Sequence, residues 1–265
     1  MLINISDQLF KNIELNKIPN RIISLVPSQT EYLHDLGLNN EVIGITKFCV
    51  HPNDWFRNKT RIGGTKTVDI EKIRQLNPDI IFANKEENVK DQIDELRQIC
   101  PVYVSDISTL EHALSMMKDI GTLVGKQNQA TTICNQIVHS FQQLNIGRTY
   151  KSAYLIWNEP YMTIGGDTFI SDMMNRCGFV NMFQHESRYP TVTIDQLNEM
   201  DCELLLLSSE PFPFQQKHIE LLQPLLPKTK IILADGEMFS WYGSRLLKAV
   251  EYFSKMINEL NGSGE

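Results

Sequence analysis

Short apolar runs bounded by polar or turn residues recur along the chain. RIISL (21–25), EVIGI (41–45), DIIFA (79–83) and PVYV (101–104) are too short for buried helices and read as strands. Apolar residues at helical spacing fill 29–36 and 70–76 between them. SAYLIW (152–157), ELLLL (203–207) and KIILA (230–234) resume the strand pattern, with helices expected near 168–177, 194–200 and 215–223. Thr168 or Asp167 is placed to cap the first of these and Gly178 to end it. Such strand–helix alternation predicts an α/β protein with mostly parallel sheets.

A longer helical region lies between the two sets. Ser108 and Glu111 have capping-box spacing, and apolar residues follow at 110, 113, 114, 117, 120, 123 and 124. Gly125 interrupts, and a second stripe runs through Ala130, Ile133, Cys134, Ile137, Phe141 and Leu144. With no Gly or Pro over 126–146, about twenty residues would span roughly 30 Å. The expected organisation is a first α/β lobe over 1–107 with an N-terminal extension, and a helical region over 108–147 containing one long, rigid backbone helix. A second α/β lobe with a C-terminal helix follows over 148–265. A stiff connection of this kind predicts little movement between lobes.

An internal repeat supports the two-lobe reading. TVDIEKIRQLNPDIIFA (67–83) aligns without a gap to TVTIDQLNEMDCELLLL (191–207) at a constant offset of 124. Thr67/Thr191, Val68/Val192 and Ile70/Ile194 are identical; Glu71/Asp195 and Asp79/Glu203 agree in kind. Each copy reads as a capped helix, with Asp69 or Thr193 at the cap. A break at Pro78 or Asp201–Cys202 then leads into a buried strand.

Composition narrows the functional classes. The 265 residues carry a net charge of −7 and no long basic run, which argues against nucleic acid as the main partner. No window reaches the length of apolar sequence needed to span a bilayer. The N-terminus MLINISDQLFKNIELNKIPNR lacks the parts of a signal peptide. As it stands the chain reads as cytoplasmic, or as periplasmic or envelope-located if a leader has been removed. The five cysteines (49, 100, 134, 177, 202) form no CxxC pair, and Cys134 and Cys202 read as core thiols.

In open α/β sheets ligands bind beyond the carboxyl ends of the strands. The loops expected there in the first lobe carry Pro27 and Ser28, then TKFCVHP with Phe48 and His51, then Asn84 to Asn88. Those of the second carry NEPYMTIGGDT, SSEPFPF and DGEMFSWYGSR, with Trp157, Tyr161, Glu210, Phe212, Phe214, Phe239, Trp241 and Tyr242. Aromatics this dense suit a large, partly apolar ligand. Lys47, Lys66, Lys85, Arg188 and Arg245 lie on or near these loops; each is a candidate for a ligand's acidic groups or an ordinary solvated charge. Tyr189 is a further candidate contact. Gly165 and Gly166 fit either close approach of a ligand or a plain hairpin turn.

The stretch KFCVHP (47–52) poses two readings of its own. Cys49 and His51, with Glu86, Glu87 or Glu210, suggest a metal-dependent enzyme. Against it, no histidine pair has HExxH or HxxxH spacing and no nucleotide or hydrolase motif is present. On the second reading the stretch is a cleft lip, with Phe48 and His51 toward ligand and Cys49 packed beneath.

Together, RIISLVPSQTEYLHDLGL, IGGTKTVDIEKIRQLNPDIIFA, the long central helix and RYPTVTIDQLNEMDCELLLL resemble the class III solute-binding proteins of ABC importers. These are the helical-backbone receptors for cobalamin and iron–siderophores, and the cobalamin-binding branch is the nearest in pattern. The resemblance covers about residues 20–260. It implies two lobes joined by the backbone helix, a ligand crevice between them, and no catalysis. It implies no intrinsic cofactor, a corrinoid or related metal chelate (siderophore or haem) as ligand, and a monomer. It also implies a membrane permease as partner if the chain is exported, docked through one acidic residue per lobe, Glu71 and Asp195. His51 is placed for an axial contact to a chelated metal. A tryptophan of the cobalamin-binding relatives falls near Thr65, so one stacking contact is expected to be missing. Without a leader, the same resemblance implies a cytoplasmic sensor of this fold.

Overall fold

The apolar runs form the strands expected of them. In the computed structural model, which describes residues 2–262, the chain groups into two units. The first holds the residues up to Ile107, Glu111–Val138 and Tyr242–Arg245; the second holds Ser108–Leu110, His139–Trp241 and the residues from Leu246 onward.

The first unit opens with an antiparallel hairpin, β1 (Ile3–Ser6) and β2 (Asn12–Leu15). It continues through β3 (Ile22–Ser24), α1 (Pro27–Asp35), β4 (Val42–Ile45), α2 (Asn53–Asn58), β5 (Thr60–Arg61), α3 (Ile70–Leu76), β6 (Ile80–Asn84), α4 (Lys90–Leu96) and β7 (Val102–Ser105). The strands from β3 on form one parallel sheet in the order β5-β4-β3-β6-β7. The sequence pattern marks this region only as an N-terminal extension and predicts no hairpin in it. The buried Asp7 carboxylate holds its turn by accepting the amides of Leu9 and Lys11, and it ties the turn to β7 through the amide of Val104.

Two helices follow, α5 (Leu110–Leu123) and α6 (Gln127–Gln142). Ala113, Met116, Met117, Ile120 and Leu123 are buried at helical spacing on α5, as are Ala130, Cys134 and Ile137 on α6. A β-carbon at Gly121 would lie 2.4 Å from that of Ala130, so only glycine permits this approach of α5 and α6. The helix expected over 126–146 is thus shorter than its pattern suggested: 16 residues, about 24 Å long.

The second unit contains β8 (Tyr150–Leu155), a small hairpin of β9 (Trp157–Asn158) and β10 (Tyr161–Met162), α7 (Phe169–Arg176), β11 (Phe179–Asn181) and α8 (Ile194–Glu199). Then come β12 (Leu204–Ser208), α9 (Gln216–Leu222), β13 (Lys230–Ala234), α10 (Gly236–Ser240) and α11 (Arg245–Gly262). Its sheet is parallel, in the order β11-β8-β12-β13.

The repeat seen in the sequence is a repeat of structure. Strands β4, β3, β6 and β7 correspond to β11, β8, β12 and β13 in the same spatial order. Asp69 caps α3 by accepting the amide of Lys72, and Thr193 caps α8 by accepting that of Gln196. The helices end on repeat partners in the left-handed region, Asn77 at φ 45° and Asp201 at φ 55°; Asn and Asp tolerate that region better than most residues. Asp79 then accepts the amides of Asn20 and Arg21, and its partner Glu203 that of Lys151, which pins each central strand to its neighbour. All five residues of β6 and of β12 are buried, as expected of parallel strands covered on both faces.

Candidate functional site

Pro27 opens α1 at the end of β3, and Ser28 behind it is buried. Beyond β4 the chain turns at Thr46, and alternate side chains of KFCVHP part company. The Phe48 ring is 51% exposed, lies against Gly64, where a β-carbon would come 3.2 Å from the ring, and has the Lys47 ammonium 5.1 Å from its centroid. Cys49 is fully buried, with its sulfur 3.1 Å from Thr30 Oγ1 and 3.2 Å from Thr46 Oγ1. Burial raises the pKa of this thiol above its ordinary value despite those contacts, so it is a poor source of the thiolate a metal requires. His51 is half-buried. Among the described residues no group of three or more His, Cys, Asp or Glu is arranged to hold a metal.

The loop after β6 is organised by Asn84, which is buried. Its Oδ1 accepts the amides of Glu86 and Glu87, and its Nδ2 donates to the carbonyl and hydroxyl of Ser105. The amide group of Asn84, expected to face a ligand, is therefore committed to holding the turn. Thr65 is buried as well, and its carbonyl accepts from Asn88. Lys66 is exposed, and its ammonium donates to the Glu86 carbonyl. Burial raises the Glu87 carboxyl above its usual range, with Lys66 opposing and Glu86 reinforcing the shift.

Tyr242 to Arg245 also belong to this unit. Arg245 is not the solvated charge its loop position suggested: its Nε donates to Glu31 Oε2 at 2.7 Å with both side chains buried. The Tyr242 ring is buried, and burial drives its pKa far up, with the charge of Glu87 adding to the shift. Gly243, at φ 96°, brings this segment against Tyr32 and the Ser28 carbonyl, where a β-carbon would lie 3.2–3.3 Å away.

In the second unit the corresponding loops are aromatic. Trp157, on β9, is 42% exposed, and its indole N–H donates to the Glu159 carbonyl. Its ring meets Phe212 edge-on at 5.9 Å, and Phe212 meets Phe214 at 4.8 Å. Tyr161 packs against the core of this unit while keeping partial exposure. Phe214, Trp241 and Phe239 are buried, which differs from the expected row of open aromatics; Phe239 packs against Tyr154 and Phe253. The carboxyl of Glu210 is raised by burial, although Ser240 Oγ donates to it at 2.7 Å.

Gly165 and Gly166 have a structural explanation. A β-carbon on either would strike the backbone of Glu186 or Gln184 within 2.4 Å, and their amides donate to the carbonyls of Arg188 and Glu186. The close approach that glycine permits is made to this chain's own 184–188 loop. Arg188, at φ 60°, is exposed, with its guanidinium 5.3 Å from the half-buried Tyr189 ring. A groove of about 780 Å³ in this unit is lined by His139, Leu144, Leu247 and residues further along α11, and by none of the expected site residues.

Glu71 and Asp195 occupy equivalent, exposed positions in the first turns of α3 and α8; Glu71 lies 3.4 Å from Arg74. No helix among the described residues is long and apolar enough to cross a membrane.

Comparison with known proteins adds identity to this geometry. The chain is 25% identical over 255 residues to the vitamin B12-binding protein of Photorhabdus laumondii, covering 92% of this chain and 90% of that one. Its fold is similar to the periplasmic vitamin B12-binding protein BtuF of Vibrio cholerae, at a TM-score of 0.77 and 22% identity over 92% of this chain and 98% of that one. It is equally similar to the periplasmic catecholate-siderophore-binding protein VctP of Vibrio cholerae, at 0.78 and 15% identity over 98% and 100% of the two chains. The family described as periplasmic binding protein matches residues 22–223, and the chain belongs to that family of non-enzymatic binding proteins.

Proposed function

We propose that the chain is the substrate-binding component of an ABC importer and that it binds a corrinoid, or a closely related metal chelate, through the strand-end loops of its two units. The observation that carries this reading is the contrast within KFCVHP. Phe48 stands open at a strand end while Cys49 is sealed in the core. The loop therefore offers an apolar ring to a ligand and no thiolate to a metal. Trp157 and Phe212 offer the same kind of surface in the second unit, and aromatic faces suit a macrocycle that carries its own metal. Similarity to vitamin B12-binding relatives supports the corrinoid over other chelates.

The residues proposed to meet ligand are Phe48, His51, Trp157, Tyr161, Arg188 and Phe212, with His51 toward the chelated metal. Glu71 and Asp195 are proposed to dock a membrane permease from outside the cytoplasmic membrane, and the binding protein is proposed to act as a monomer. Absorbance titration with cyanocobalamin, ferric siderophores and haem tests the ligand class. Saturable binding of cyanocobalamin below about 100 μM is expected; binding of only the iron chelates would move the assignment to them, and binding of none would refute it.

A further inference from the structure

The loop that ends at α9 carries two phenylalanines in different surroundings, with a histidine wedged against both. Phe214 is buried and Phe212 half-buried. The His218 ring meets Phe212 edge-on at 5.4 Å and Phe214 at 5.3 Å, and the two phenylalanine rings are 4.8 Å apart. The three rings close a triangle. His218 Nδ1 also accepts the amide hydrogen of Gln215 at 2.8 Å, filling one of the donors that the start of a helix leaves open. The side chain thus performs two separable tasks. Its nitrogen caps α9, and its ring wedges the aromatic pair.

Phe212 lies outside any helix or strand. Its amide donates to the Ile156 carbonyl at 3.2 Å, and its ring meets both His218 and Trp157 edge-on. Trp157 is the outermost ring of this chain of contacts and the most exposed. Edge-on aromatic pairs favour particular geometries, so displacing the inner ring shifts the outer ones.

We infer that His218 is a positioning residue for ligand binding: its ring, anchored by the cap it makes at Gln215, sets where Phe212 and, through it, Trp157 present themselves. The inference rests on the reading that Trp157 and Phe212 meet the ligand. It does not require His218 to touch ligand.

Two substitutions separate the tasks. His218→Asn keeps an acceptor near the Nδ1 position and removes the ring; His218→Phe keeps a ring and removes the acceptor. The indole N–H resonance of Trp157 is identified as the one lost in Trp157→Phe. In His218→Asn the melting temperature is expected to fall, because a buried ring packed on Phe212 and Phe214 is removed. The Trp157 resonance should move, and cyanocobalamin affinity should fall about fivefold, the worth of one or two aromatic edge contacts. In His218→Phe the melting temperature should drop, while the resonance and the affinity are retained. Affinity and resonance that follow melting temperature across both variants would reduce His218 to a helix cap and overturn the inference. So would a resonance unmoved by either change. If the parent protein binds no corrinoid, the functional reading fails, yet the resonance of the ligand-free protein still decides whether His218 positions Trp157.

Discussion

The turns that follow β6 and β12 are the same device in two materials. Each begins at the last residue of a buried central strand, and in each that residue's side chain accepts an amide two residues on: Asn84 Oδ1 from Glu86, and Ser208 Oγ from Glu210. Beyond that point the copies part. The first unit fills its strand ends with buried polar groups, Gln29, Asn84, Asn88, Ser105 and the Glu31–Arg245 ion pair. The second fills them with Trp157, Phe212, Phe214 and His218. At the position where the first has Asn88, the second has Phe212. Duplication preserved the scaffold, while the strand ends diverged into a network of buried polar groups, in which Gln29 Oε1 has no hydrogen-bond partner among the described residues, and an aromatic cluster that needs only to be packed.

The difference is sharpest where a polar partner can be removed. Arg245→Ala removes the guanidinium that is ion-paired with the buried Glu31 carboxylate, a loss of about 3–5 kcal/mol by denaturant unfolding. A cost below about 1 kcal/mol would mean that the pair is solvated and the contrast overstated. The paired turns come next. Asn84→Ala strands the amides of Glu86 and Glu87 and the partners in Ser105, and should cost about 2–3 kcal/mol. Ser208→Ala removes one long amide contact at 3.3 Å and the hydroxyl's bonds to Tyr154 and the Glu210 carbonyl, and should cost about 1 kcal/mol. Equal losses would show that the two turns are held alike.

The smallest effect concerns the opposite ends of the strands, where the copies should behave the same. Burial acts to raise the Asp79 carboxyl, but the amides of Asn20 and Arg21 and the Lys17 ammonium together bring it below the usual range. The amide of Lys151, then Arg148, do the same for Glu203 against a weaker effect of burial. Because both pKa values are depressed on folding, the stability they contribute is present above the unfolded carboxylate pKa and is lost as pH falls through the folded values. Asp79→Asn and Glu203→Gln should each cost up to about 1 kcal/mol near neutrality, discounted for solvent screening, and less at pH about 3. Glu87 and Glu210 have the opposite sign. Their raised carboxyls favour the folded state when protonated, so their Gln variants should gain relative stability as pH rises above the ordinary carboxylate range.

Much of the scaffold was legible in the sequence because buried parallel strands are continuous apolar runs and because the chain states its plan twice. Asp69, Thr193 and the 124-residue offset mark both copies in the sequence itself. The short strands β5, β9 and β10 carry no apolar run, and the β1–β2 hairpin turns on the side chain of Asp7 rather than on glycine or proline, so pattern alone passed them by. The strand-end loops follow from the strand pattern, but the direction of each side chain does not. Tyr242 and Phe48 are both aromatics on loops; one is buried beside Glu87 and the other stands in solvent. Arg245 looked like a surface charge because its partner Glu31 lies 214 residues away in the chain. His218 carried no motif, although its spacing three residues after Gln215 and its neighbours Phe212 and Phe214 were a signal of cap and wedge together.

The most direct measurement is a cyanocobalamin titration of the parent protein beside Trp157→Ala and Cys49→Ser, followed by absorbance. Recognition by open aromatic rings, with the cysteine confined to the core, predicts a parent Kd below about 100 μM, a loss of about tenfold in Trp157→Ala, and little change in Cys49→Ser. Loss of binding in Cys49→Ser with Trp157→Ala unaffected would contradict it.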